Sequence, residues 1–319
     1  MRRPLYWENI IALVMTHLFG LVGIAYLIFV RFSWLTIGLG TLWFFLCMLS
    51  TTAGYHRLFA HKAYKGTPPL RAFYLLFGAA SGQASILNWA SDHRAHHAWV
   101  DTDEDPYDIT KGFWWAHIGW LFFREPKPRP ANIKDLEADR MIRLQDRFYV
   151  VLLLGVGFLA PLLIAWTWGD PAGGFLVAGF LRLMLQYHAT FSINSLAHTI
   201  GRRPYSTSVS ARDSGLTAIL TLGEGYHNYH HRFPADYRNG VRFFHFDPTK
   251  WWVWVMSKLW LASDLKRVSA ADIEKARAAV CRAALGAPAE VPAGADLYAP
   301  VVASPALDDA VVGGRSQPQ

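Results

Sequence analysis

The apolar residues of this chain fall into long unbroken runs rather than the short alternations of a soluble fold. Four runs, at about residues 10–30, 35–53, 148–166 and 174–191, approach the roughly 20 residues that a helix needs to cross a bilayer. A fifth stretch, 70–89, is apolar but punctuated by Gly, Ser, Gln and Asn, and reads as one amphipathic or partly buried helix on the membrane surface. The short connections at 31–34 and 167–173 carry one Arg and no Lys between them, whereas the intervals 54–147 and 199–269 hold most of the basic residues, and Arg2 and Arg3 precede the first run. Lys and Arg gather on the cytosolic side, so both termini and both polar intervals are expected there, on an inner membrane of bacterial type. The pattern predicts an all-α integral membrane protein: four transmembrane helices under a helical cytosolic cap, forming one domain over 1–270. Residues 271–319 turn Ala- and Pro-rich, and after a short helix a disordered tail is expected. Arg2 and Arg3 suggest a signal peptide, but the run behind them is too long for one and no small-residue cleavage site follows.

Composition agrees with that reading and removes others. Hydrophobic residues make up 52% of the chain and charged residues only 17%, against about 25% charged in soluble domains. The net charge of +7 comes without a basic stripe interleaved with stacking aromatics. No nucleic-acid partner is expected; the excess faces anionic lipid headgroups or an acidic substrate. Cys47 and Cys281 lie far apart in sequence and read as reduced bystanders.

The chemistry lies in the histidines, of which there are 13. His56 and His61 form H-x4-H after the second run; His93, His96 and His97 form H-x2-H-H after the surface stretch; His227, His230 and His231 repeat it inside GEGYHNYHH. Helix positions i, i+3 and i+4 share a face, so each triplet is expected to aim its three imidazoles at one point. Asn194 and His198, at i and i+4, sit where the fourth run leaves the membrane. His17, His117, His188 and His245 stand outside the pattern and are expected to be structural. Nine imidazoles exceed what a single tetrahedral zinc takes and suit two metals of higher coordination. Imidazole binds Zn, Cu and Fe alike, so spacing leaves the metal open. No carboxylate sits among the ligands as in H-E-x-x-H, which favours a redox pair over a hydrolase.

The segments GYHRLFAH (54–61), DHRAHH (92–97), DTDEDPY (101–107), GFWWAHIGW (112–120), NSLAH (194–198) and GEGYHNYHH (223–231) resemble the histidine boxes of the membrane-bound delta-9 acyl-CoA desaturases, with similarity over about 10–270. The resemblance implies two non-haem irons on His56, His61, His93, His96, His97, His198, His227, His230 and His231, with Asn194 reaching one of them through water. It implies dioxygen as co-substrate and a fatty acyl chain, most simply a CoA thioester, converted to a cis mid-chain alkene. Gln83, Trp89 and Thr190 occupy positions that bend the chain, while Phe44 and Met48 match those closing the far end of the tunnel. Arg94 and Arg124 match residues that grip the CoA head, whereas Ser91 and Glu125 stand where basic side chains are expected and Ala84 replaces an Asn. Acyl-lipid and acyl-carrier-protein substrates therefore stay open beside CoA. The His-Pro-Gly-Gly signature of a fused cytochrome b5 is not found, so electrons are expected from a separate ferredoxin, cytochrome b5 or flavin reductase. A di-iron membrane hydroxylase is the nearest alternative enzyme. A metal transporter fits less well, because transport sites sit near the membrane midplane.

Overall fold

A computed structural model describes residues 4–123 and 131–285. Arg2, Arg3, Arg124, Glu125 and the expected tail beyond 285 lie outside the described residues. Helix α1 spans Trp7–Phe29, and α2, capped by the Ser33 hydroxyl at the Thr36 N–H, spans Trp34–Ala60. Then come α3 (Pro68–Ala80), α4 (Ile86–Trp99) and α5 (Phe113–His117). Short helices α6 (Lys134–Glu137) and α7 (Arg140–Arg147) lead into α8 (Tyr149–Trp166). Helix α9 is continuous over 171–199. It is followed by α10 (Gly215–Leu220), α11 (His227–Arg232), α12 (Pro248–Lys258) and α13 (Ala270–Ala284). The only regular strands among the described residues pair Lys65–Gly66 with Ala262–Ser263.

Helices α1, α2 and α8 are long and apolar enough to cross a membrane. The fourth expected span lies inside α9, which has the length but carries Arg182, Gln186 and His188. Arg182 is buried and donates to the carbonyls of Ala178 on its own helix, Ala80 at the end of α3 and Gly157 in α8. Its charge is thus met by the carbonyls of three helices. Close approach of α1 to α9 is allowed by Gly23, where a Cβ would stand 2.8 Å from the Leu176 carbonyl oxygen.

The amphipathic helix expected over 70–89 is in fact two helices, because the chain breaks at 81–85. Gly82 and Ala84 there take left-handed φ values of 69° and 73°, which end a helix. The Tyr187 hydroxyl donates to the Gly82 carbonyl at 2.9 Å and leaves no room for a side chain. The second span also differs: it was expected to end near 53, yet α2 continues to Ala60 as a π-helix over Ser50–Ala60, every residue of which is buried. This extension is the central post of the cap, wrapped by α3, α4, α7 and α12 around Tyr55, Leu58, Phe59, Tyr74, Ile86, Ile142 and Val253. Helix α13 begins at the expected domain boundary and packs Ile273 and Ala276 on Tyr229 and Phe233 of the α11 region.

Helix α3 meets the post through two reciprocal tyrosine–glycine contacts. Cβ atoms added at Gly78 and Gly54 would lie 2.3 Å from the Tyr55 ring and 2.5 Å from Tyr74. Tyr55 cannot yield, since it is fully buried and accepts a 2.6 Å hydrogen bond from Gln145. Gly78→Ala is therefore expected to destabilise the protein by about 1–3 kcal/mol, the usual range for overpacking. Thermal unfolding in detergent or nanodiscs measures this; an unshifted Tm would show that the contact is loose.

Candidate metal centre

In an α-helix, residues five apart point about 140° away from each other, so H-x4-H is a poor ligand pair there. The π-helix removes the difficulty, because its i→i+5 bonds place such residues one above the other. The His61 N–H donates to the His56 carbonyl at 3.1 Å, and the two rings lie with centroids 4.9 Å apart.

The two H-x2-H-H triplets do lie on helices, α4 and α11, but neither aims its three rings at one point. Each splits. One group comprises His56, His61, His93, His97 and His230; the other comprises His96, His198, His227 and His231, with the ligand nitrogens of each group within 4.8 Å of one another. Positions i and i+4 of α4 go to the first group and i+3 to the second, while α11 does the reverse. The reason is that i+3 and i+4 diverge by about 100° around a helix axis, enough to serve two neighbouring centres.

Within the first group the Nε2 atoms of His61 and His93 are 2.7 Å apart, and His230 Nε2 lies 3.0 Å from that of His56 and 2.9 Å from that of His97. In the second, His231 Nε2 lies 3.2 Å from His96 Nε2 and 3.1 Å from His227 Nε2. Burial first, then repulsion from neighbouring imidazoles, holds His61, His93, His97, His227, His230 and His231 well below the usual histidine range. Neutral imidazole is the metal-binding form.

Several rings have their other nitrogen tied down. His56 Nδ1 lies 2.9 Å from Glu224 Oε2, and His96 Nδ1 lies 2.9 Å from both oxygens of Asp105. Such a partner fixes the tautomer with hydrogen on Nδ1 and turns the Nε2 lone pair inward. His198 Nδ1 meets the Ser210 hydroxyl at 2.6 Å, which itself donates to Asp101 at 2.5 Å, and the buried His198 Nε2 has no hydrogen-bond partner. Inward lone pairs, neutral rings and an orphaned nitrogen fit two metal ions, one per group. Glu224 is also ion-paired with the buried Arg57. Burial opposes its ionisation, but His56 and Arg57 outweigh that and hold its carboxyl down at about 2. Its contribution to stability is complete above the ordinary value of 4.5 and is lost as pH falls toward 2.

A cavity of about 740 Å³ opens beside the centre, and His56, His93, His96, His227 and Asn194 form part of its wall. That volume lies within the range of about 300–1,000 Å³ usual for small-molecule sites. Gln83, Trp89 and Thr190 line it as well; the Gln83 amide donates to Thr190 at 2.9 Å and accepts from the Trp89 indole at 3.3 Å. Met48 is fully buried behind Thr190, whose hydroxyl reaches its sulfur at 3.9 Å. Phe44 is one turn further along α2, edge-on to Phe45. Arg94 is placed elsewhere: it donates to the carbonyls of Phe59, Ala60 and Asn132 and to Asp135, closing the C-terminal end of the π-helix. Ser91 lines the cavity, and Arg124 lies outside the described residues.

The four other histidines join neither group. His17 Nε2 lies 3.0 Å from His188 Nε2, His188 Nδ1 lies 3.1 Å from His117 Nε2, and His245 stacks on Tyr226. Asp101, Asp105, Ser210 and Glu224, together with Tyr107, which lines the cavity with its hydroxyl 3.5 Å from His93 Nδ1, were not singled out from the sequence as site residues. Their signal was nonetheless present, since three of them belong to DTDEDPY and Glu224 lies three residues before His227.

The fold and the site together define a protein with two adjoining histidine groups, each able to hold a metal ion, carried beside helices long and apolar enough to cross a membrane. The profile of the fatty acid desaturase family matches residues 32–259. The chain is 46% identical over 225 residues to acyl-CoA desaturase 1 of Saccharomyces cerevisiae, covering 69% of this chain and 44% of that one. It is 38% identical over 273 residues to stearoyl-CoA desaturase of Homo sapiens, covering 83% and 75%, and 37% identical over 272 residues to stearoyl-CoA desaturase 2 of Mus musculus, covering 83% and 75%. It spans under half the length of the fungal relatives it matches. The chain belongs to the fatty acid desaturase family.

Partners of metal-bound histidines commonly contribute about 10–100-fold in metal affinity. Asp105→Asn and Glu224→Gln are each expected to lose metal to a chelator at correspondingly lower concentration, with the other group's ion retained longer. Metal content after graded chelation reads this, and wild-type retention in both variants would refute the assignment.

Proposed function

We propose that this chain desaturates a saturated fatty acyl chain, using dioxygen and two irons held by the nine histidines, to give a cis delta-9 product. The observation that carries the proposal is the placement of both histidine groups on the wall of one substrate-sized cavity. A bound pair of irons supplies the four-electron reduction of dioxygen to two waters, drawing two electrons from the substrate's C–H bonds and two, with two protons, from outside. The protein's own residues do the rest. Mid-chain methylenes are chemically almost alike, so the position of the double bond is set by which carbon pair is held at the metals. Gln83, Trp89 and Thr190 hold that bend, and Asn194, on the same cavity wall, would orient a water at one of the irons.

The names of the relatives favour a CoA thioester as the carrier. Electrons come from a separate ferredoxin, cytochrome b5 or flavin reductase at the cytosolic face. In this reading α9 is the fourth span, its polar residues turned toward the other helices, and the basic intervals keep the termini and metals on the cytosolic side. Bulky Met48 shortens the tunnel and favours shorter chains.

Expression in a desaturase-deficient host tests the reaction directly: wild type restores a mid-chain cis alkene, while His97→Ala and His230→Ala, one taken from each triplet, do not. An oxygen-independent product, or a hydroxylated one, would overturn the proposal. For chain length, Met48→Ala is expected to raise the ratio of longer to shorter unsaturated products about 10-fold or more, the scale of one methylene in an apolar pocket. An unchanged ratio removes Met48 from selectivity.

A further inference from the structure

Two short helices of the cap are amphipathic in the inverted sense. Helix α10 buries Thr217 and Ala218 and exposes Leu216, Ile219 and Leu220. Helix α12 buries Thr249 and Lys250 along with Val253 and Met256, while Trp251, Trp254 and Val255 form an outward stripe at i, i+3 and i+4. Lys258 continues that stripe at i+7 and places its ammonium 5.4 Å from the Trp254 ring centroid. Beyond it, Trp260 is 87% exposed.

The loop before α12 repeats the theme. Phe243 and Phe244 are 91% and 72% exposed, and the loop carrying them is pinned. Lys250 Nζ donates to the carbonyls of Gly240, Arg242 and His245 at 2.7, 2.7 and 3.1 Å, and Asp247 accepts from the backbone N–H groups of Asn239 and Gly240. A loop held this firmly cannot fold its phenylalanines inward. Arg242 sits 5.8 Å from the Phe244 ring centroid.

These elements meet α2 where the second apolar run passes into the buried post of the cap. Thr249 bonds Thr52 in the upper part of α2 at 2.8 Å, and its hydroxyl also donates to the Leu222 carbonyl, just after α10, at 3.0 Å. Trp, Phe and Leu exposed beside Lys and Arg are the composition of a helix lying in the headgroup region, where aromatic rings sit at the boundary and cations meet anionic lipid.

We infer that α12, the Phe243–Phe244 loop and α10 form an interfacial anchor that dips into the cytosolic leaflet of the bilayer and seats the metal cap on it. The occupant of this apolar surface is lipid. The inference rests on the membrane-spanning reading of α1 and α2, and the test separates the two.

In a Cys281→Ser background, which leaves the buried Cys47, single cysteines replace Phe243, Phe244 or Trp260 and carry an environment-sensitive fluorophore. Lys275→Cys on α13 serves as the aqueous control and Leu21→Cys in α1 as the span control. The metal-loaded protein sits in nanodiscs containing anionic lipid, with metal content checked for each variant so that a misfolded one is set aside. Lipids bearing a nitroxide near the headgroup should quench the labels at 243, 244 and 260 about twofold or more above the Lys275 control, and aqueous iodide should quench them less than that control. Leu21 should respond best to a nitroxide near the chain end. If Leu21 is lipid-quenched while all three anchor labels behave like Lys275, the anchor is wrong and the surface awaits a protein partner. If Leu21 itself is not quenched by lipid, the spanning reading fails and the anchor with it.

Discussion

A single buried carboxylate, Glu224, joins the charge that organises the cap to a ring of the first histidine group. Arg57 sits in the middle of the π-helix with about 1% of its surface exposed and pairs with both Glu224 and Asp247. Leaving such a charge without a partner is strongly destabilising, by about 3–5 kcal/mol. Asp247 in turn accepts from three backbone N–H groups, those of Asn239, Gly240 and Lys250. The loops 222–226 and 237–247 are therefore drawn onto the post by the need to neutralise one guanidinium. The second oxygen of Glu224 reaches His56 and, from Asn239, receives an amide hydrogen bond. What compensates the buried arginine also sets the tautomer of a ligand.

The split of each histidine triplet has a mechanical consequence. Because α4 and α11 each contribute to both groups, neither helix can shift without displacing donors in both. The distance between the two centres is thereby tied to the packing of two helices rather than to the length of any loop. Around them Asp213, capping α11 through the N–H groups of Asn228 and Tyr229, is raised by burial to about 7 despite those bonds. Arg94 performs the matching service at the end of the π-helix, by gathering the carbonyls of Phe59 and Ala60.

Three helices of membrane-crossing length and the histidines that make up the two groups were legible in the sequence because they rest on local signals: apolar run length and histidine spacing. The fourth expected span was read as an apolar run, and a helix does lie there; what the run did not disclose is that its buried Arg182 is met by carbonyls of its own helix and of distant segments. The π-helix was hidden because nothing in STTAGYHRLFA marks i→i+5 bonding; tertiary burial on every side selects it. The break at 81–85 was missed because Ala84, which does not favour left-handed φ, adopts it under the pull of α9 and of Tyr149, whose hydroxyl accepts the Ala84 N–H at 3.1 Å. The reading of three rings aimed at one point failed for a simpler reason. Sharing a face is a statement about half a helix, and two adjoining histidine groups resolve angles that a face does not.

On the proposed reaction, that break is also where regiochemistry becomes a structural quantity. Gln83 stands in the turn between two left-handed residues, held by Thr190 on α9 and by the Trp89 indole on α4. Helix α4 is the same helix that carries His93, His96 and His97, so the bend and the metals are spaced by a rigid rod of a few turns. At the other side, Arg182 fixes the last carbonyl of α3 to α8 and α9, which prevents the turn from sliding along the bundle. A displacement of one methylene, about 1.3 Å along an extended chain, would move the double bond by one carbon, and displacements of that size are what misplaced reacting groups amplify into large rate losses. The strained turn is thus held in place by the rods on either side of it, and the precision demanded of the product is borne by backbone geometry rather than by any recognition of the chemically uniform chain.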